Sequence, residues 1–182
     1  KDVFDPDRIA LPVFAATSFG GQLLVAIYHS GDVDIIDRES GQTLSTCALG
    51  RRAVFDPSGK RILFYGERDS VLVDASSGAV LQRFPIALVR ASFSPDGSAV
   101  LAVTMQHSFV VMSPESGTCS KEIPSDPRIG QIWNVSPDGK RLLCQTEDLT
   151  WQIVTVDGLE VISRFPAPPG SVAELGSLDA QG

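Results

Sequence analysis

Apolar positions along the chain come in short runs separated by brief polar breaks. The runs QLLVAIY (22–28), RILFY (61–65), AVLAV (99–103) and RLLCQ (141–145) are apolar or alternating and rich in β-branched and aromatic residues, the pattern of a strand. A second set follows them at short range: DVDIID (32–37), SVLVD (70–74), SFVVM (108–112) and TWQIVT (150–155). A third set comprises QTLSTC, AVLQRF, TCSKEI and EVISRF, and a fourth VFAATS, RAVF, RASF and QIWNV. No window long enough for a helix carries an apolar period near 3.6, so almost no helix is expected.

The breaks between the runs recur. One turn reads FDPSG at 55–59, FSPDG at 93–97 and VSPDG at 135–139, with looser versions TSFGG at 17–21 and LDAQG at 178–182. Its glycines, Gly21, Gly59, Gly97, Gly139 and Gly182, are spaced 38, 38, 42 and 43 residues apart. A second turn reads ESGQ at 39–42, SSGA at 76–79, ESGT at 115–118 and VDGLE at 156–160. Its glycines, Gly41, Gly78, Gly117 and Gly158, are spaced 37, 39 and 41 apart. Proline presets φ in these turns, Asp or Ser bonds the local backbone, and Gly supplies positive φ.

Two markers in step, about forty residues apart, give each repeat four strands, here a, b, c and d. That is the period of a propeller blade. An all-β fold of four four-stranded antiparallel blades is expected: blade 1 over 11–50, blade 2 over 51–88, blade 3 over 89–127 and blade 4 over 128–167. Residues 1–10 read as a lead-in, and 168–182 as the start of a fifth blade or a linker. Sheets with two apolar faces must be covered on both sides. The chain is therefore expected to be part of a larger ring of six to eight blades, completed by further residues of the same polypeptide or by another chain.

The pattern resembles the WD-repeat family over essentially the whole chain. FSPDGSAVLAV, VSPDGKRLLC and FDPSGKRILF look like its strand a, turn and strand b. VDIIDRESGQTL and SVLVDASSGAVL look like its strand c, Trp-Asp position, turn and strand d. Ile36 and Val73 stand where the family has Trp, while Asp37 and Asp74 hold the Asp position. Met112 and Ser113 depart at both places. Asp69 matches the family's b–c turn aspartate. The Gly-His dipeptide before strand a is absent from every repeat, so the family's buried Asp-His-Ser-Trp network is not expected. The looser style is shared with bacterial WD-like, quinoprotein-like and TolB-like propellers. The resemblance implies that the d–a and b–c loops share one face.

Charge narrows the partners. The formal net charge is −7, whereas phosphate binding needs a basic footprint, so nucleic acid is not expected. No apolar stretch reaches the roughly 18 residues of a membrane span. Cys47, Cys119 and Cys144 lack CxxC spacing and read as small apolar strand residues. Their odd number points to a reducing, cytoplasmic setting. The sequence opens on Lys1, which leaves a removed signal peptide open.

Candidate chemistry is sparse. His29 and His107 fall in b–c turns beside Ser30 and Ser108, and are read as solvated loop residues rather than triad members. Asp56, Asp96 and Asp138 are read as turn formers, and NVS at 134–136 as a chance acceptor match on an inner strand. Trp133 and Trp151 read as packing residues. No cofactor, no metal and no enzymatic activity are expected. The shared loop face carries Arg51, Arg52, Arg68, Asp69, Arg90, Arg128, Glu147 and Asp148, with Glu67, and these are the candidate partner-binding residues. The expected function is a non-catalytic protein-interaction scaffold or sensor module of a multidomain protein, its partner another protein or another domain of the same polypeptide. The alternatives are a propeller gating an appended enzyme, such as a prolyl-oligopeptidase-like peptidase, or a TolB-like envelope propeller.

Overall fold

The computed structural model describes residues 12–18, 20–47 and 51–166. The lead-in at 1–10 and the tail at 168–182 lie outside them. The described residues form sixteen strands in four antiparallel sheets, each with its strands side by side in chain order. The first sheet holds β1 (Pro12–Thr17), β2 (Leu23–Tyr28), β3 (Val33–Asp37) and β4 (Thr43–Cys47). The second holds β5 (Arg52–Phe55), β6 (Arg61–Tyr65), β7 (Ser70–Asp74) and β8 (Val80–Phe84). The third holds β9 (Leu88–Phe93), β10 (Val100–Thr104), β11 (Phe109–Met112) and β12 (Cys119–Ile123). The fourth holds β13 (Gln131–Val135), β14 (Arg141–Gln145), β15 (Thr150–Thr155) and β16 (Val161–Pro166). The all-β reading and all sixteen strands are thus found, and no described residue is helical.

The described residues fall into two compact units, one built on the first two sheets and one on the last two. Period-2 alternation decides which side chains enter the core of each. In the first unit Val25, Ile27, Val33 and Ile35 pack with Phe55, Ile62, Phe64, Val71 and Val73. In the second, Leu101, Val103, Phe109 and Ile123 pack with Ile132, Leu142, Cys144 and Val154. Ile27, Phe64, Phe109 and Leu142 are at most 1% exposed. Each such side chain contributes roughly 1.5–3 kcal/mol by burial.

The a–b turns share one frame. The NH of Ser18, Asp56, Ser94 and Ser136 donates to the carbonyl five residues on, and the NH of Gly21, Gly59, Gly97 and Gly139 closes the turn back onto it. These glycines have φ between 69° and 71°. The side chains filling the frame are exchanged between sheets. In the fourth, the Ser136 hydroxyl donates to Asp138 at 2.6 Å and accepts from the Arg141 NH at 2.9 Å. In the third, Ser94 and Asp96 repeat this arrangement. In the second the pair is reversed: the Ser58 hydroxyl donates to Asp56 at 2.8 Å, and Asp56 accepts from the Arg61 NH at 3.0 Å.

Asp37 and Asp74 cap the c–d turns: the Ser40 NH and hydroxyl bond Asp37, and those of Ser76 and Ser77 bond Asp74. The fourth c–d turn departs from the sequence alignment by one residue. Thr155 NH donates to Glu160 carbonyl, as Asp37 NH does to Gln42 carbonyl. That frame puts Leu159, not Gly158, in the slot of Gly41, with φ 55°.

Candidate functional site

Antiparallel order sends the b–c turns and d–a connections of each sheet to one end, opposite the a–b and c–d turns. Each unit carries four of the eight candidate residues at or near its own loop end.

In the first unit, Arg51 and Glu67 form a 3.8 Å ion pair with side chains 79% and 67% exposed. A surface pair of this kind is worth about 0–1 kcal/mol. Arg68 and Asp69 are exposed in the b–c turn of the second sheet, whereas Arg52 is half-buried as the first residue of β5, opposite Tyr65. His29 is exposed, and Ser30 donates its hydroxyl to Asp32 at 2.9 Å. The surface here is polar and charged.

The second unit differs. Its connection between β12 and β13 is a tight turn organised by Asp126. The carboxylate accepts from the Arg128 NH at 2.8 Å, and the Arg128 guanidinium grips it at 2.7–3.2 Å. The Arg128 hydrogen bonds hold the Asp126 carboxyl at about 2. Ile129 and Gly130 donate their NH groups to the Asp126 carbonyl. Gly130 has φ 76°, and a Cβ there would lie 2.1 Å from the Gln145 carbonyl oxygen. Only glycine lets the connection ride this close over β14.

A buried amide pins the same connection. Gln152, fully buried on β15, donates Nε2 to the Ile129 carbonyl at 2.8 Å and the Arg128 carbonyl at 3.3 Å. By register it holds the slot of Val71 and Val110 in the second and third sheets, and of Asp34 in the first. The two carbonyls occupy the amide nitrogen, while its Oε1 is buried without a hydrogen-bond partner among the described residues.

The b–c turns of the first, third and fourth sheets share a frame whose penultimate residue is left-handed. Gly31 takes that place with φ 90°, but His107 takes it with φ 59° and Leu149 with φ 63°. The His107 ring lies 4.9 Å from that of Trp133, with Nδ1 3.0 Å from the Ile132 carbonyl, and Trp133 is 6.2 Å from Trp151. The expectation of solvated histidines thus holds for His29, while His107 is half-buried. Leu149 stands 61% exposed. Glu147 and Asp148 are exposed in the same turn, and Asp148 accepts from the Thr146 hydroxyl, which lowers its carboxyl below the usual value. Arg90 lies within β9, half-buried opposite Val103, not in a loop.

Between the 124–130 connection and the 146–149 turn lies a hollow of about 390 Å³. Ser125, Asp126, Pro127 and Gly130 line it from the connection and Thr146, Glu147 and Leu149 from the turn, together with the paired strand residues Gln131 and Gln145. Of the candidates, Glu147 lines it; Arg128 and Asp148 stand on its two flanking loops. Sequence reasoning did not find Ser125, Pro127, Gln131, Gln145, Leu149 or Gln152. The one available signal was Gly130, a glycine outside both repeat markers.

Reactive chemistry is poorly served. Burial pushes the Cys144 thiol up to about 12, so it is not a thiolate at neutral pH. Among the described residues, no three His, Cys, Asp or Glu side chains converge as metal ligands. No described helix is long and apolar enough to cross a membrane.

The chain superimposes on the solved structure of dihydro-heme d1 dehydrogenase NirN in complex with DHE, over 88% of its own length, with a TM-score of 0.70 and 16% identity. The fold is a β-propeller. The chain spans 38% of that structure's length. Likeness of this kind extends to 1376 solved chains, so this propeller similarity carries architecture, not activity. No protein-family model matches the chain, and no curated protein matches it. The likeness to WD repeats therefore rests on the turn pattern alone, with Asp37 and Asp74 serving as turn caps.

Proposed function

We propose that this propeller segment is a non-catalytic interaction module and that its loop ends receive a protein partner or another domain of the same polypeptide. The observation carrying this reading is the coincidence at the second unit's loop end of a pinned connection, a hollow of about 390 Å³ and an exposed, left-handed Leu149. Strained residues and rigid loops of this kind cluster at binding surfaces. The non-catalytic part is supported by His107, whose Nδ1 faces a backbone carbonyl, and by the protonated, buried Cys144.

Affinity capture with the full-length protein tests the reading. Reversing Arg51 and Arg68 to Glu, or Glu147 and Asp148 to Lys, should change the set of bound proteins. Reversing Glu39 and Lys60, exposed at the opposite end, should not. A captured set indifferent to all three variants overturns it.

A further inference from the structure

We infer that the hollow of the second unit seats one long basic side chain, arginine or lysine, presented by a protein partner; this rests on the interaction reading above. The volume of about 390 Å³ is at the small end of ligand pockets, which run roughly 300–1,000 Å³. The walls are of mixed character, and no Lys, Arg or His lines them. Of the two carboxylates, Asp126 is already gripped by Arg128, and Glu147 makes no ion pair among the described residues. Glu147 is therefore the charge left for an incoming cation, with Gln131 and Gln145 as further acceptors.

A basic side chain also needs apolar contact for its methylene stem, and Leu149 and Pro127 supply it. Three described residues other than glycine have positive φ: His107, Leu149 and Leu159. His107 packs its ring at a tilt against Trp133, and Leu159 packs on the core. The turn frame holds Leu149 left-handed, its NH closing onto the Thr146 carbonyl, but of the three only Leu149 leaves its side chain largely exposed, at 61%. Its side chain stands at the wall of the hollow, where a ligand stem would lie. The Gln152 and Gly130 anchors fix the opposite wall, which lowers the ordering cost of binding. The net charge of −7 draws cationic segments toward the protein.

The test is an NMR titration of the ¹⁵N-labelled chain with N-acetyl-arginine methylamide, its lysine counterpart and the neutral isostere N-acetyl-citrulline methylamide. Amide shifts should cluster at residues 125–131 and 145–149, with citrulline binding about tenfold more weakly, the worth of one charge-assisted contact. Glu147→Gln should bring arginine down to the citrulline level. Leu149→Gly should weaken all three probes while keeping their order. The inference is overturned by equal arginine and citrulline affinities, by binding unchanged in Glu147→Gln, or by shifts centred elsewhere. If the arginine probe fails while loop reversals still alter partner capture, this inference falls and the interaction reading stands. If the probe seats but capture ignores the loops, the interaction reading falls.

Discussion

Both units are pairs of four-stranded sheets, yet they treat the left-handed backbone differently. In the first, the described residues with positive φ in sheet turns are all glycines: Gly20, Gly21, Gly31, Gly41, Gly59 and Gly78. In the second, His107, Leu149 and Leu159 take slots that glycine fills in other sheets. A left-handed L-residue costs about 1–2 kcal/mol. Two of the three offset that cost by packing, and the third faces the hollow. The same fold thus marks, by where it tolerates strain, which of its turns carry a further task.

The largest expected effect is at the closest backbone approach in the second unit. Gly130→Ala puts a methyl group against the Gln145 carbonyl at a positive φ and should cost about 3 kcal/mol. Denaturant unfolding measures it; a loss under 1 kcal/mol would mean the connection shifts freely and the wall is not fixed.

Next is the buried amide. Gln152→Val restores the residue type of Val71 and Val110, so pattern alone predicts no harm. The carbonyls of Arg128 and Ile129 predict a loss of roughly 1–3 kcal/mol, read from the same unfolding curves. Hydrogen exchange at Ile129 and Gly130 should quicken as well.

The exchanged turn pair comes third. Asp56→Ser removes a carboxylate that is 2% exposed and bonded to Arg61 at 3.0 Å, at an expected cost of about 1–2 kcal/mol. Adding Ser58→Asp rebuilds the order found in the third and fourth sheets and should recover most of it. Burial raises the Asp56 carboxyl, but the Arg61 NH, the Ser58 hydroxyl and the Arg61 guanidinium outweigh that and hold it below 3.8. A depressed folded value gives stability that is full above the unfolded value and lost as pH falls through the folded one. The gap between wild type and Asp56→Ser should therefore hold from neutral pH down to about 3.8 and narrow below it. Asp74 and Asp96, held at about 2 chiefly by serine hydroxyls, should lose their contribution only between pH 3.8 and about 2.

The smallest effect sharpens the comparison most. Leu149→Gly should stabilise the chain by up to about 1 kcal/mol, while Gly31→Leu, with open space around its missing Cβ, should cost about as much. Thermal melts of both variants decide this. A destabilised Leu149→Gly would give Leu149 an internal role and remove its claim on the hollow.

The strands and turns were legible because their signals are local. Period-2 alternation and the Pro, Ser, Asp and Gly of SPDG act over a few residues: Ile62 and Phe64 enter one core cluster, while Leu63 between them is buried on the other face. The slip at Gly158 shows the limit: two adjacent turn residues can each accept the left-handed place, and only the hydrogen-bond frame assigned it to Leu159. The hollow was not legible, because its walls come from two loops whose approach depends on Gly130 and Gln152. Arg52 and Arg90 were assigned to loops by position, but the ladders of β5 and β9 extend to include them.

The Ser and Asp exchange bears on how such repeats diverge. In the second, third and fourth sheets their role is held by a pair, whereas in the first Ser18 alone accepts the Leu23 NH and Gly20 stands at the second place. A lineage passing from the Asp56–Ser58 order to the Ser94–Asp96 order must cross an intermediate with two serines or two aspartates. That intermediate is less stable by about 1–2 kcal/mol, a sizeable part of the 5–15 kcal/mol that keeps a domain folded. Successive sheets of one chain can therefore settle on opposite orders and stay there, each locked in by the cost of a single step.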